Sequence, residues 1–294
     1  MDLIAISDIY GDTRITKEFL LKLDNSKKND RIIIVAGDID IKMLSDDYYQ
    51  NVNKILRLLS ENCRLLIYLP GDSDAEDLNI HQENTINIDK NHLVIEKDDM
   101  KIGFFGLGGA PAHSVREKRF SAYLWDENIP TVRESLMTNL KINLEKLMIS
   151  QPDYIILITH APPYGTADYS TPITIKEEVL LGEILEELGK GSEKIGRKRL
   201  SRNPRHLGSR VIKEFVKYYK PDIHIFAHIH KQGGKIITKN GTIFYNVSHL
   251  SPLPYRLTGR KFLLLRLTKQ RVTYSFNSVV TKSLSFQDFL EAYL

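Results

Sequence analysis

Acidic and histidine side chains follow five short apolar segments of this sequence. Three aspartates come at or just after the ends of three of these segments, and histidines follow the other two. Ligands of open α/β sheets bind at the carboxyl ends of the strands, so we expect these side chains to meet at one edge. The residues are Asp8, Asp38, Asp72, His160, His228 and His230.

The chemistry that this set favours is the binding of divalent cations. Clustered carboxylates repel one another, and a cation would neutralise them. The donors are oxygen and nitrogen without sulfur, which favours Mn, Fe, Zn, Ni or Co over calcium or a soft metal. His228 and His230 are two positions apart, so their side chains can serve different ions.

A single aspartate after a strand is more often a helix cap than a ligand, and only the joint pattern favours a metal site. Asp12 and Asp74 are interpreted as turn or cap residues. Four further histidines lie outside this strand-end pattern and are interpreted as ordinary core or surface residues. They are His81, His92, His113 and His224.

The segments that must position these residues alternate between strand and helix patterns. Short β-branched-rich runs predict strands at residues 3–7, 31–36, 64–69, 101–106, 154–159, 222–227 and 242–247. Amphipathic patterns predict helices at residues 14–23, 48–61, 131–148, 175–188 and 209–219. Several strand runs are apolar throughout, which is typical of strands covered on both faces.

The order of these elements predicts a single α/β domain over residues 1–294. Residues 261–280 predict a β-hairpin, so some strands are antiparallel, in one large mixed sheet or two packed sheets. The main irregular insertions are residues 110–130 and 189–206, and loops of this length are often functional or mobile. Gly106, Gly108 and Gly109, which open the first insertion, would let the backbone approach a ligand closely.

The composition is that of a folded soluble protein. Of the 294 residues, 42% are hydrophobic and 27% are charged, and the formal net charge is +4. This mild excess permits a phosphate-bearing partner without requiring one. The single cysteine, Cys63, excludes an intrachain disulfide and a thiolate-rich zinc site.

The sequence predicts a cytoplasmic protein with no membrane partner. No segment approaches the roughly 20 apolar residues that cross a bilayer. The N-terminus enters a predicted strand without a basic region or a cleavage site.

The second insertion is strongly basic. It carries Lys190, Lys194, Arg197, Lys198, Arg199, Arg202 and Arg205 against a single Glu193. One interpretation is a phosphate-rich substrate such as a nucleotide or nucleic acid. The other, which we favour slightly, is a solvated loop. The stretch has no aromatic residue that could stack a base, which argues against single-stranded nucleic acid.

The five segment ends resemble the motifs of the calcineurin-like metallophosphoesterases. That family carries Asp-x-His, Gly-Asp, Gly-Asn-His-Asp/Glu, a histidine and Gly-His-x-His in this order. Here they read Asp8-Ile9-Tyr10, Gly37-Asp38, Gly71-Asp72-Ser73-Asp74, His160 and Ala227-His228-Ile229-His230. Residues 159–165, 206–209 and 245–248 are similar to an Icc-related cytosolic branch. The resemblance implies a four-layer αββα sandwich with two mixed β-sheets flanked by helices.

The same resemblance implies two divalent metal ions. Asp8, Asp38 and His230 would hold the first. Asp38, Asp72, His160 and His228 would hold the second, with Asp38 bridging. Such paired ions clamp the attacking and leaving oxygens of an in-line displacement. A bridging water acidified by both ions would be the nucleophile.

Three substitutions depart from the family pattern. Tyr10 replaces a metal-binding histidine. A phenol, with an ordinary pKa of about 10, would ligate only as phenolate, most readily to a trivalent ion. It is therefore either a ligand or a neighbour that leaves the first ion weakly held.

Asp72 replaces asparagine and makes the site less positive. Ser73 stands where the family has the histidine that helps to protonate the leaving group.

Serine is too weak an acid for that role, in which a positioned acid contributes about 10²–10⁴-fold. We therefore expect slow turnover, least slow with a good leaving group such as an aryl phosphate. His206 is a candidate substitute donor. It precedes a predicted helix whose N-terminus is a second candidate for phosphate contact. The alternative is a helix cap region without a ligand.

The sequence thus predicts a metal-dependent hydrolase of a phosphodiester or nucleotide. The alternative is a catalytically degenerate relative that binds metal, phosphate or a partner protein. Nucleic acid is allowed as a substrate but not favoured.

Overall fold

The computed structural model describes residues 1–112, 121–170, 205–250 and 261–279. The described helices are α1 Thr13–Leu21, α2 Tyr48–Ser60, α3 Pro130–Ile149 and α4 Arg210–Tyr219. The described strands are β1 Asp2–Ile6, β2 Arg31–Ala36, β3 Leu65–Leu69, β4 Thr85–Asn87, β5 His92–Lys97, β6 Met100–Leu107, β7 Ala110–Pro111, β8 Leu124–Trp125, β9 Tyr154–Thr159, β10 Tyr169–Ser170, β11 Arg205–His206, β12 Ile223–Phe226, β13 Ile236–Lys239, β14 Thr242–Asn246, β15 Lys261–Thr268 and β16 Arg271–Ser278.

The strands form two six-stranded mixed sheets. The first sheet has the order β16-β15-β1-β2-β3-β4, in which β1 to β4 are parallel and the C-terminal hairpin is antiparallel. The second has the order β13-β14-β12-β9-β6-β5, with four parallel strands in the centre and an antiparallel strand at each edge. Two short strand pairs, β7–β8 and β10–β11, lie outside them.

Alternating side chains along the strands build three apolar layers. In β1, Leu3 packs between the two sheets, whereas Ile4 packs against α1 and α2. The outer face of the second sheet meets α3 and α4, where Leu140 and Phe215 contact the layer that includes Phe105. Each sheet is therefore covered on both faces, which explains why the central strands are apolar throughout. The result is the four-layer sandwich that the resemblance implied.

The predicted elements agree closely with the observed ones where the structure describes them. Each of the seven predicted strands is present, with ends within one residue of the prediction. Four of the five predicted helices are present with ends within two residues. The short or half-buried strands β4, β5, β7, β8, β10, β11 and β13 were not predicted.

Several predictions fall wholly or partly outside the described residues. These are the helix at 175–188, the greater part of the basic insertion, and His113. Among the described helices, none combines the length and the apolar composition needed to cross a bilayer.

The fold also buries a histidine outside the predicted set of ligands. His224 lies in β12 with no exposed surface, and its ring contacts those of Phe226 and Phe244. The Thr159 hydroxyl donates to the Ala161 carbonyl at 2.6 Å and lies 2.8 Å from His224 Nε2, so this nitrogen is the donor of their hydrogen bond. Burial lowers the pKa of His224 from 6.5 to about 3.

Replacing His224 with glutamine is expected to flatten the pH dependence of stability. The unfolded chain takes up a proton near the ordinary pKa of 6.5, whereas folded His224 stays neutral until about 3. The contribution of His224 to wild-type stability is thus complete above the unfolded pKa and is lost as the pH falls, with a loss of about 2 kcal/mol at about pH 5. Chemical denaturation of both proteins at neutral and acidic pH measures the difference. Parallel losses in the two proteins would contradict it.

Candidate metal centre

The loops after β1, β2 and β3 meet the loops after β9 and β12 at one edge of the sandwich. The Asp8 amide donates to the Gly37 carbonyl at 3.0 Å, which joins the first two loops. From the second sheet, His160 Nδ1 lies 2.8 Å from the carbonyl of Ala36 in the first sheet. The parallel order of the strands therefore brings the predicted residues together.

Four of these residues form one group, called here the Asp72 site (Asp38, Asp72, His160 and His228). The Asp72 Oδ1 atom lies 2.9 Å from His160 Nε2 and 2.9 Å from His228 Nδ1. One ligand atom from each of these three residues lies within 4.8 Å of the others. Asp38 Oδ1 lies 3.5 Å from His160 Nε2. The donors are carboxylate oxygen and imidazole nitrogen, as a transition metal or zinc prefers.

The environment of His160 suits it to be a ligand. Its Nδ1 atom has the Ala36 carbonyl as an acceptor, so this nitrogen carries the proton and Nε2 faces the carboxylates. A hydrogen bond to a backbone carbonyl is a common way of fixing the tautomer and orientation of a metal-binding histidine. The residues of the Asp72 site therefore fit a bound cation.

Without a cation, the cluster relies on protons to balance its charge. Burial and the neighbouring Asp72 and Asp8 carboxylates raise the pKa of Asp38 to about 7, despite the opposing effect of His160. Burial alone would lower the pKa of His160, but Asp38 and Asp72 outweigh it and raise the pKa to about 10. The same histidine, with His228, lowers the pKa of Asp72 well below its usual range against the effect of burial. Cations would take over the balancing role.

The second group, called here the Asp8 site (Asp8, Asp38 and His230), is the one that the resemblance assigns to the first ion, and it is arranged differently. One ligand atom each of Asp8 and Asp38 also lies within 4.8 Å of one from His160. His230 Nε2 lies 3.0 Å from Asp8 Oδ1. The Tyr10 hydroxyl lies among the three residues, 2.8 Å from Asp38 Oδ2, 3.0 Å from His230 Nε2 and 3.4 Å from Asp8 Oδ1. A phenol oxygen is therefore in hydrogen-bonding contact with every group that the family pattern assigns to the first ion.

Several residues of the two sites have an unusual backbone conformation. Asp8, Tyr10, Asp38 and His228 have φ angles of 54°, 51°, 53° and 69°, in the left-handed region. Such conformations are costly for residues other than glycine and tend to occur at functional sites. Gly71 leaves room beside them, because a Cβ there would lie 2.1 Å from Asp38 Oδ1.

Asp72 is held by residues of the first insertion, 110–130, a contact that the sequence did not predict. The Ser121 hydroxyl lies 2.6 Å from Asp72 Oδ2, and the amides of Ala122 and Tyr123 donate to the Asp72 carbonyl at 2.8 and 3.1 Å. The glycines after β6 pack against the loop that leads to Asp72. The Gly109 amide donates to the Pro70 carbonyl at 2.9 Å, so these glycines allow close packing of two loops.

The two residues interpreted as turn or cap residues, Asp12 and Asp74, both accept backbone amides. Asp12 accepts the Ile15 amide at 2.9 Å at the start of α1. Asp74 accepts the amides of Gly71 and Ile39 at 2.8 and 3.0 Å and so braces the loops that carry Asp72 and Asp38. Ser73, the predicted catalytic position, donates its backbone amide to Asp38 Oδ1 at 2.9 Å.

His206 lies in a separate hydrogen-bonding group. Its Nδ1 atom is 2.7 Å from Asp168 Oδ1, and its ring is 42% exposed. The amides of Gly165 and Gly208 donate to the buried Asp168 Oδ2 at 2.9 and 3.2 Å. The Asp168 carboxylate thus holds the imidazole at its Nδ1 atom. Sequence reasoning did not identify Asp168.

A second histidine near the cluster was also missed. The buried ring of His249 lies 4.9 Å from that of His230. It follows β14 along the chain, so its position after a strand was the available signal.

The N-terminus of the helix after His206, a candidate for phosphate contact, is covered by an acidic side chain. The carboxylate of Glu127 already occupies that end of α4. It accepts the Arg210 amide at 2.8 Å and the Val211 amide at 3.3 Å, and it hydrogen-bonds the Ser209 hydroxyl. An acidic side chain there satisfies the free amides that a phosphate would need.

Comparison with known proteins agrees with this architecture. The structure is similar to that of the Thermus thermophilus protein TT1561, with 15% identity, a TM-score of 0.56, and coverage of 95% of this chain and 99% of that one. It is also similar to a candidate 5'-nucleotidase of Staphylococcus aureus, solved with alpha-ketoglutarate. Here the identity is 11%, the TM-score is 0.52, and the coverage is 99% of this chain and 57% of that one. At these identities the likeness shows the fold alone.

A search among curated proteins finds no match. The family model of calcineurin-like phosphoesterases, however, matches residues 1–232, which include the ends of β1, β2, β3, β9 and β12. The chain belongs to the calcineurin-like phosphoesterase family.

Proposed function

We propose that this chain hydrolyses a phosphodiester or a nucleotide phosphate ester slowly and with the help of a bound divalent cation. The observation that carries the proposal is the Asp72 site, where three ligand atoms of Asp72, His160 and His228 lie within 4.8 Å of one another. Asp38 stands beside them. Family membership supports phosphate-ester hydrolysis in general, and the features below support the narrower proposal.

A bound cation would polarise the phosphate and acidify a water molecule for the attack. The chain's own residues hold the site in shape. Asp74 and the Gly71 backbone fix the two aspartate loops, and the Ala36 carbonyl fixes the ring of His160. The chain therefore orients the donors before any substrate arrives, which is the main protein contribution to such catalysis.

The charge of the site favours diesters over monoesters. Asp8, Asp38 and Asp72 are all buried and together place three carboxylates around the phosphate position. A phosphomonoester carries nearly two negative charges at neutral pH, whereas a diester carries one. The additional carboxylate of Asp72, where the family has asparagine, repels the monoester more strongly.

His206 supports a second part of the proposal, as the group that protonates the leaving oxygen in place of Ser73. Its strand β11 pairs with β10, and the Tyr169 carbonyl of β10 accepts the Gln232 side chain at 2.8 Å. Gln232 ends the short 3-10 turn that begins at His230. This contact places the His206 strand pair against the turn that borders the metal cluster. Asp168 holds Nδ1, so Nε2 is the nitrogen available to donate.

The alternative is a degenerate protein that binds metal or phosphate without turnover. Two features favour it: Ser73 replaces the family's acid, and the Tyr10 hydroxyl contacts every group of the Asp8 site. If this alternative holds, the protein binds a cation but does not release product.

The test of the proposed function is hydrolysis of nitrophenyl phosphate and bis-nitrophenyl phosphate by purified protein with Mn²⁺, Ni²⁺ or Zn²⁺. We expect metal-dependent release of nitrophenol, faster from the diester. Asp38→Asn is the control and should lower the rate at least tenfold, because it removes a charged donor from the centre. Equal rates for the two proteins would attribute the signal to a contaminant, and no turnover with metal bound would select the alternative.

Replacing His206 with glutamine is expected to slow the release of poor leaving groups. The loss should be about 10²–10⁴-fold for an alkyl ester and much smaller for a nitrophenyl ester, which departs without protonation. The measurement is the ratio of kcat values for the two esters, with Asp168→Asn as a milder variant that leaves the imidazole in place. An equal loss on both esters would indicate a phosphate contact instead of an acid, and unchanged kinetics would exclude both roles.

A further inference from the structure

The Tyr10 side chain fills the centre of the Asp8 site. The residue is 7% exposed, and its ring meets that of His230 edge to face with 5.7 Å between centroids. Its hydroxyl oxygen lies 2.8 Å from Asp38 Oδ2 and 3.0 Å from His230 Nε2. The same oxygen is 3.4 Å from Asp8 Oδ1.

These contacts form a closed set of hydrogen bonds. The Tyr10 hydroxyl donates to Asp38, the closest of the three groups. His230 Nε2 is also 3.0 Å from Asp8 Oδ1. The carboxylates and the imidazole thus already have polar partners, and the phenol oxygen occupies the space among them.

A cation at the Asp8 site would have to replace this arrangement. Metal ligands lie at about 2.0–2.2 Å, so an ion among these atoms must either push the phenol aside or bind it as phenolate. Displacement is opposed by the backbone, because the Tyr10 amide donates to the Asp38 carbonyl at 3.1 Å. The neighbouring Ile9 amide donates to the same carbonyl at 2.7 Å.

The Asp72 site lacks this obstruction at its central atom. The hydroxyl that contacts Asp72, from Ser121, lies 2.6 Å from Oδ2, the outer oxygen. Oδ1 faces His160 and His228 at 2.9 Å each. The hydroxyl here orients the ligand instead of occupying the space between ligands.

We infer that the Tyr10 hydroxyl takes the place of one of the two metal ions that the family pattern implies, so that this protein binds a single cation, in the Asp72 site. The inference rests on the proposed function only in taking the Asp72 site as the metal site. A single divalent cation then faces three carboxylates, which adds a second reason for slow turnover.

The test is the number of Mn²⁺ ions bound by metal-depleted protein, measured by equilibrium dialysis with elemental analysis. We expect one equivalent for the wild type and two for Tyr10→His, which supplies a nitrogen ligand in a left-handed backbone position that histidine tolerates well. Tyr10→Phe, the matched control, should remain at one equivalent. Circular dichroism establishes that the variants fold.

Electron paramagnetic resonance adds a second readout. An isolated Mn²⁺ ion and a pair of coupled ions give different spectra, and we expect the isolated form in the wild type and the coupled form in Tyr10→His. Two equivalents in the wild type would overturn the inference. If Tyr10→Phe then bound only one, the phenol oxygen would be a ligand.

A pair of histidine variants locates the ion. His228→Ala removes a donor of the Asp72 site alone and should abolish binding of the single equivalent, whereas His230→Ala removes a donor of the Asp8 site alone and should retain it. The reverse result would place the ion beside Tyr10 and overturn the inference.

Activity measurements on the same samples keep the two proposals separate. One equivalent of metal without turnover leaves the inference standing and removes the proposed function. Turnover with two equivalents of metal in the wild type supports the proposed function and overturns the inference. A wild-type protein that binds no Mn²⁺ overturns the inference, and the nitrophenyl assays with Ni²⁺ and Zn²⁺ then decide the proposed function.

Discussion

Three buried carboxylates at one edge of the sandwich impose the constraint on which the rest of this site depends. Asp8, Asp38 and Asp72 have almost no exposed surface, and burial penalises their charge. The surrounding imidazoles and the Tyr10 hydroxyl contact these carboxylates through hydrogen bonds. In the absence of a cation, His160 and Asp38 are drawn toward protonated states, so a single network of charge connects residues of both sheets.

The fold supports this costly arrangement with ordinary structural features placed around it. Apolar side chains of the central strands are buried on both faces of each sheet. Left-handed residues turn Asp8, Asp38 and His228 inward, and Gly71 gives Asp38 its space. Asp74 binds the amides of the two aspartate loops. Stability from the core thus maintains a group of like charges that would otherwise separate.

The departures from the family pattern have a common physical theme. Tyr10 introduces a proton donor where the family has a metal-binding nitrogen, and Asp72 introduces a negative charge where the family has a neutral amide. Ser73 removes an acid. Each change makes the centre less positive or less able to deliver a proton, and His206, held by Asp168, is the proposed alternative source of that proton.

The sequence by itself determined seven strands, the C-terminal hairpin, most of the helices and the strand ends that carry the candidate ligands. Local periodicity and the motif order encode these features, and so β2 and β9 were predicted with their observed bounds. Sequence reasoning could not show that Ser121 holds Asp72, that Asp168 holds His206, or that Glu127 covers the start of α4. It also left the role of Tyr10 open. These contacts join residues far apart in the chain, and only the packing of two sheets and their loops decides which side chains meet.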